Sequence, residues 1–182
     1  MAADLLCQPS RKARARLVLL HGWGADAGDL MPLGQALADA IATPLELVAL
    51  QAPQRQTQGS GRQWYGLFPA NWAAVPAAVK GLKERIKSLS SEEIPLEATV
   101  LLGFSQGGAM TMAAGCDLPL AGLIACSAYP HPNWQAPVIR PPVLLLHGQK
   151  DDVVPHSAAL ALKNELVQSN QACDLFSFDN GH

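Results

Sequence analysis

Ser105 lies in Gly103-Phe104-Ser105-Gln106-Gly107, a G-x-S-x-G pentapeptide with an apolar run before it and a helical pattern after it. Residues 98–102 read as a buried strand and residues 108–114 as a helix. Strand, sharp turn, helix is the setting in which a serine becomes a nucleophile. The turn strains the backbone and holds the hydroxyl clear of the sheet. Glycines stand there because a Cβ would clash where strand and helix approach so closely. The plainer alternative is a glycine-rich turn with an idle serine.

A serine hydroxyl needs a base beside it near neutral pH, and the base needs an orienting carboxylate. The chain supplies both after Ser105. Residues 143–155 read as a strand running into a loop that carries Asp151 and Asp152 at its C-terminal end. Ligands of open α/β sheets bind at that edge. Residues 176–182 read as a strand and turn ending in His182. Acyl transfer also needs donors for the developing oxyanion. One is the backbone N–H of Gln106. The second is expected from the loop at residues 20–26, where glycines flank Trp23 and let an N–H turn inward. The other histidines have structural readings. His21 and His147 each precede a glycine at a strand end. His156 opens a helix, and His131 lies between prolines on what reads as a surface loop.

The elements that must position these groups alternate. Near-continuous apolar runs at 17–20, 45–50, 99–102, 120–125 and 143–146, with a weaker one at 174–178, predict strands buried on both faces of a mostly parallel sheet. Between them, Leu30, Leu33, Leu37 and Ile41 fall on one helical face, with Asp29 as the expected N-cap and Pro32 in the first turn. Val75, Val79, Leu82, Ile86 and Leu89 form a second stripe. Ser157 is the expected cap of a third helix reaching about Asn170. The pattern is a doubly wound α/β sheet in a single domain of residues 1–182, with no repeat or linker. Residues 52–71 form a long irregular segment rich in aromatics. Trp64, Tyr65 and Phe68 are candidates for a substrate groove, and equally for anchors that hold the loop down.

Composition narrows the function classes. Hydrophobic residues make up 49% of the chain and charged residues 15%, which favours a packed core over disorder. A net charge of −2 gives no reason to expect nucleic-acid or anionic-membrane partners. The basic cluster at residues 11–16 reads as a solvated lead-in to a strand. No run approaches the roughly 18–20 apolar residues of a membrane span, so no membrane insertion is expected. No signal peptide is visible. Four scattered cysteines without metal spacing read as buried thiols of a cytoplasmic protein. No metal or organic cofactor is called for.

His-Gly-Trp-Gly at 21–24, Trp64-Tyr65, Gly-Phe-Ser-Gln-Gly-Gly at 103–108, His-Gly-x-x-Asp-x-Val-Val-Pro at 147–155 and the final Gly181-His182 together resemble the phospholipase/carboxylesterase family. Those are small, lidless α/β-hydrolases that include acyl-protein thioesterases and bacterial carboxylesterases. The resemblance runs from about Leu17 to His182. It implies the α/β-hydrolase fold and cleavage of carboxylic esters or thioesters of short to medium acyl chains. Lysophospholipase and acyl-protein thioesterase activities are the alternatives within that chemistry; a non-catalytic hydrolase-fold binding protein is the alternative outside it. Carried over, it makes Ser105 the nucleophile, Asp151 the acid and His182 the base, with oxyanion donors on Trp23 and Gln106. It chooses Asp151 over Asp152, which the residues themselves leave open. The implied substrate is a small-molecule or lipid-like acyl ester; oligomeric state is not implied. Two departures carry expectations. Relatives continue past the histidine into a helix, whereas this chain stops at His182. A frayed terminal imidazole beside its own carboxylate is therefore expected to be a weak base. Residues 129–142 are short and hold five prolines, so no helical lid is expected and the site should be open.

Overall fold

A computed structural model describes residues 3–137, 141–170 and 172–182. Its frame is a seven-stranded sheet in the order β1-β3-β2-β6-β7-β8-β9. The six apolar runs become β2 (Ala15–Leu20), β3 (Leu45–Leu50), β6 (Thr99–Phe104), β7 (Gly122–Cys126), β8 (Val143–Gly148) and β9 (Cys173–Phe178), all mutually parallel. β1 (Leu5–Cys7) is an antiparallel edge on β3 that three residues of sequence do not announce. The long irregular segment holds a two-stranded ribbon, β4 (Gln54–Arg55) with β5 (Arg62–Gln63).

Chain order fixes where a site can form. From β2 the chain steps outward to β3, then returns to the other side of β2 as β6. The crevice at the C-terminal ends of β2 and β6 is the point where the winding reverses, and loops leaving it diverge. The loop carrying Trp23 leaves β2 there, and Ser105 ends β6 there.

Helices α2 (Val75–Ser88), α3 (Gln106–Gly115) and α4 (His156–Gln168) contribute to the core that includes Leu20, Leu101, Leu123 and Leu145 on one face. The α2 stripe packs as its spacing predicts, with Val75, Leu82 and Ile86 buried and Val79 and Leu89 half-buried. α4 starts at His156 with Pro155 as N-cap, so Ser157 does not cap it.

The opposite face is covered unevenly. α1 (Met31–Ala40) covers Leu17, Leu19, Leu47 and Ala49, but not with the predicted stripe. Leu33, Leu37 and Ile41 are exposed, while Gly34 is buried and Met31 and Ala38 pack inward. A Cβ at Gly34 would stand 2.7 Å from Leu19 Cδ1, so close approach selects the small residue and turns the leucines outward. Leu30, not Asp29, is the N-cap. Beyond α1 the same face of β6–β9 is thinly covered. Val100, Ile124, Leu144 and Leu146 are half-buried, and Phe176 and Phe178 are exposed.

Arg16 is not solvated as its basic neighbourhood suggests. It stands opposite Glu46 in the β2–β3 register and forms a buried ion pair with it. Of the cysteines, only Cys116 is buried; Cys7, Cys126 and Cys173 are half-buried.

Candidate functional site

Ser105 adopts φ 53° and ψ −116°, a backbone strain that non-glycine residues seldom carry. The surroundings hold it there. Ser105 N–H donates to the Cys126 carbonyl at 2.8 Å, and the Ser105 carbonyl accepts from Ala109 N–H at 3.0 Å, opening α3. The elbow exists because its glycines lack side chains. A Cβ at Gly107 would lie 2.0 Å from the Leu20 carbonyl oxygen. One at Gly103 would lie 2.2 Å from that of Gly107.

His182 closes on the serine. Its Nε2 is 3.0 Å from Ser105 Oγ and its Nδ1 is 2.8 Å from Asp151 Oδ2. A carboxylate only accepts, so Nδ1 carries the proton and Nε2 is free to accept from the serine hydroxyl. The ring is bonded at both nitrogens and lies 4.8 Å from the Phe104 ring. Its segment is anchored to β8: Gln149 N–H donates to the Phe178 carbonyl at 2.7 Å and Lys150 N–H to the Asn180 carbonyl at 3.0 Å. A side chain at Gly148 would obstruct this, its Cβ falling 2.3 Å from the Gly181 carbonyl oxygen.

Asp151 is buried and Asp152 exposed, which separates the two carboxylates. Burial works to raise the Asp151 pKa. Hydrogen bonds from His182, from the Val154 amide, from Ser127 and from the Val153 amide outweigh it and hold the carboxyl below its ordinary value. The Val153 and Val154 amides both reach Oδ1, at 3.0 and 2.7 Å. His147 Nε2 lies 2.8 Å from the Val154 carbonyl, to which it donates, and so steadies the same loop.

The loop after β2 lies against the serine: a Cβ at Gly22 would be 3.5 Å from Ser105 Cβ. β5 pins this loop through Gly24 N–H to the Arg62 carbonyl and Arg62 N–H to the Ala25 carbonyl. Trp23 is fixed by its indole N–H on Gln63 Oε1 at 3.0 Å. The Gln106 amide falls in the first turn of α3, where helical N–H groups lack an intrahelical acceptor.

A cleft of ≈ 440 Å³ opens over Ser105 and His182, lined among others by Trp23, Leu67, Phe68, Trp72, Tyr129 and Val153. Of the three groove candidates, only Phe68 lines it. Trp64 and Tyr65 are fully buried anchors. Trp64 donates its indole N–H to the His21 carbonyl, and the Gln106 side chain clamps both residues. Its Oε1 accepts from Trp64 N–H at 3.0 Å, and its Nε2 donates to the Tyr65 carbonyl at 2.8 Å. Loop aromatics cannot be sorted into anchors and walls from sequence, because the sorting depends on this distant glutamine. Trp72, the aromatic just past residues 52–71 that shares the same two sequence readings, also lines the cleft, whereas Tyr129 and Val153 are lining residues that sequence reasoning did not single out as groove.

His131 is also not on the surface. It is buried with Nε2 2.9 Å from the Tyr65 hydroxyl, which is itself 2.7 Å from the Tyr129 hydroxyl. Burial pushes the His131 pKa down to about 4 and that of Tyr129 up to about 12. His21 is structural as expected, accepting from Ala52 N–H at Nε2 and bonding the Gly22 carbonyl through Nδ1. The described part of residues 129–142 holds no helix, and residues 138–140 lie outside the described part. Among the described residues no cluster of side chains suits a metal ion, and no helix is long and apolar enough to cross a membrane.

Known proteins share this architecture. Acyl-protein thioesterase 1 of Mycosarcoma maydis is 31% identical, with 92% of this chain and 83% of that protein covered. The crystal structure of esterase PE8 superposes with a TM-score of 0.89 at 29% identity, covering 99% of this chain and 90% of that one. A carboxylesterase from Mesorhizobium loti shares the fold at 20% identity, with a TM-score of 0.82 over 97% of this chain and 85% of that one. The phospholipase/carboxylesterase family pattern is matched by residues 2–182, and the chain belongs to that family.

Proposed function

We propose that the chain is a serine hydrolase that cleaves carboxylic esters and thioesters of short to medium acyl chains through an acyl-enzyme. The observation that carries the reading is the unbroken Ser105–His182–Asp151 relay in the crevice between β2 and β6. Ser105 Oγ attacks the acyl carbon as its proton passes to His182 Nε2. Asp151 holds the imidazole tautomer and stabilises the imidazolium. The Trp23 and Gln106 amides receive the oxyanion. The imidazolium then protonates the leaving alcohol or thiol, and water repeats the sequence on the acyl-enzyme.

The thioesterase name of the relative from Mycosarcoma maydis supports the thioester half of the proposal. The largely aliphatic and aromatic cleft supports an apolar acyl chain. A cytoplasmic location belongs to the same reading and rests on the scattered cysteines.

The test is a fluorophosphonate probe with mass-spectrometric mapping, followed by an ester and thioester panel over chain length. The label should fall on Ser105. Ser105→Ala should lose the label and on the order of 10⁴ or more in kcat while keeping its thermal melt. Near-normal turnover of a short p-nitrophenyl ester by this variant would rule the assignment out.

A further inference from the structure

The acid of the relay has one partner that the mechanism above leaves unused. A carboxylate offers about four acceptor positions. On Asp151 the Val153 and Val154 amides fill two at Oδ1, and His182 Nδ1 fills one at Oδ2. The Ser127 hydroxyl supplies the remaining bond, and it must donate, since a carboxylate only accepts. His147 is the other titratable group facing Asp151 besides His182, with its Nε2 3.4 Å from Oδ2, but its hydrogen goes to the Val154 carbonyl at 2.8 Å.

Ser127 makes that bond at a cost to its backbone. Its φ is 45°, in the left-handed region that favours glycine. Among the described residues three other non-glycine residues share that region, Ser105, Asn133 and Asn170. Asparagine enters it comparatively easily. Serine lacks that ease, and the other serine is the nucleophile. The surroundings fix Ser127 between the two halves of the site. It is buried and directly follows β7. Its N–H donates to the Leu146 carbonyl on β8 at 2.8 Å, and the Cys126 carbonyl before it accepts the Ser105 N–H at 2.8 Å. One dipeptide thus holds the nucleophile through residue 126 and the acid through residue 127. Backbone strain that the surroundings over-determine collects where a reacting group must be aimed. Without the hydroxyl, one lone pair of a buried carboxylate is left bare. The carboxylate then becomes more basic and holds the His182 imidazolium more tightly.

We propose that Ser127 is a positioning residue of the hydrolase: its hydroxyl, held by a strained backbone, aims the Asp151 carboxylate at His182 and keeps it from over-binding the imidazolium. This inference rests on the esterase reading above.

Ser127→Ala and Ser127→Gly separate aiming from turn geometry, since both remove the hydroxyl and only glycine relaxes the backbone. Each is measured for thermal melt and for kcat and KM on ethyl butanoate by pH-stat. The rate of fluorophosphonate labelling of Ser105 is followed between about pH 5 and 8, where its acid limb reports His182. Ser127→Gly should melt at or above Ser127→Ala. Both should nevertheless lose about tenfold in kcat with KM little changed, the size of one hydrogen bond to a charged group. In both, the acid limb should move up by about half a pH unit, because His182 keeps its proton longer. Wild-type turnover in Ser127→Gly, or an acid limb there that stays in place or moves down, overturns the proposal. A wild-type chain that labels and hydrolyses esters, with variants indistinguishable from it, loses only this inference; one that neither labels nor turns over loses both.

Discussion

Asp151 and Asp152 are adjacent in sequence and opposite in circumstance, and the difference is one of hydrogen-bond donors. Asp151 accepts from His182 and from two backbone amides, whereas Asp152 faces solvent. Asp151→Asn should therefore cost on the order of 10⁴ in kcat, because an amide can donate to His182 Nδ1 and enforce the wrong tautomer. Asp152→Asn should stay within a few-fold. Comparable losses in the two variants would remove Asp151 from its assigned role. Ser105 and His182 stand in short local motifs whose glycines and order single them out in the sequence, whereas Asp151 and its neighbour Asp152 share one motif and only the family resemblance prefers the first. Tyr129 and His131 were not legible. Their partner Tyr65 is more than sixty residues away, and nothing in Tyr-Pro-His-Pro signals a buried network. Trp64 and Tyr65 were seen but left between two roles that only the Gln106 clamp decides.

The elements were legible where burial is simple. The core runs became the parallel strands, since a strand covered by helices needs apolar side chains on both faces. α1 was misread in its facing, because the rule that large apolar residues point inward fails where a helix must lie close to the sheet. Close approach also governs α3, and it makes a paired prediction. Gly107→Ala places a Cβ against the Leu20 carbonyl oxygen, which is backbone and cannot move aside. It should destabilise the fold by about 2 kcal/mol or more and slow labelling of Ser105. Gly81 lies inside α2 with nothing within 4 Å of a Cβ. Gly81→Ala should stabilise by about 0.5–1 kcal/mol through helix propensity alone. Denaturant melts of the two variants, run together, check both signs. Destabilisation by Gly81→Ala would mean that this turn of α2 packs more closely than it does here.

At the scale of the whole molecule, stability should depend on pH through buried His131. Its folded pKa is near 4 and an unfolded histidine titrates near 6.5, so the unfolded state takes up a proton first as pH falls. The stabilisation is complete above pH 6.5 and is lost between about 6.5 and 4, on the order of 3 kcal/mol. Below that window the lowered Asp151 adds to the loss. His131→Gln should flatten the slope between pH 6.5 and 4; an unaltered slope would assign it to other groups. The second whole-molecule property is the thinly covered face of β6–β9. Val100, Ile124, Leu144 and Leu146 are only half-buried, and Phe176 is 59% and Phe178 45% exposed beside them. These side chains run across four strands in register, Phe104–Cys126–Leu146–Phe176 forming one rung. A contiguous apolar surface of this kind binds amphiphilic dyes and favours self-association, more so next to the exposed edge strand β9. The chain should therefore enhance anilinonaphthalene sulfonate fluorescence while still cooperatively folded. Phe176→Lys with Phe178→Lys should cut that signal several-fold and lower light scattering at high concentration. The backbone bond from Gln149 to Phe178 does not involve the ring, so the path to His182 survives the exchange. A dye signal that the two lysines leave untouched would mean this face is covered in solution.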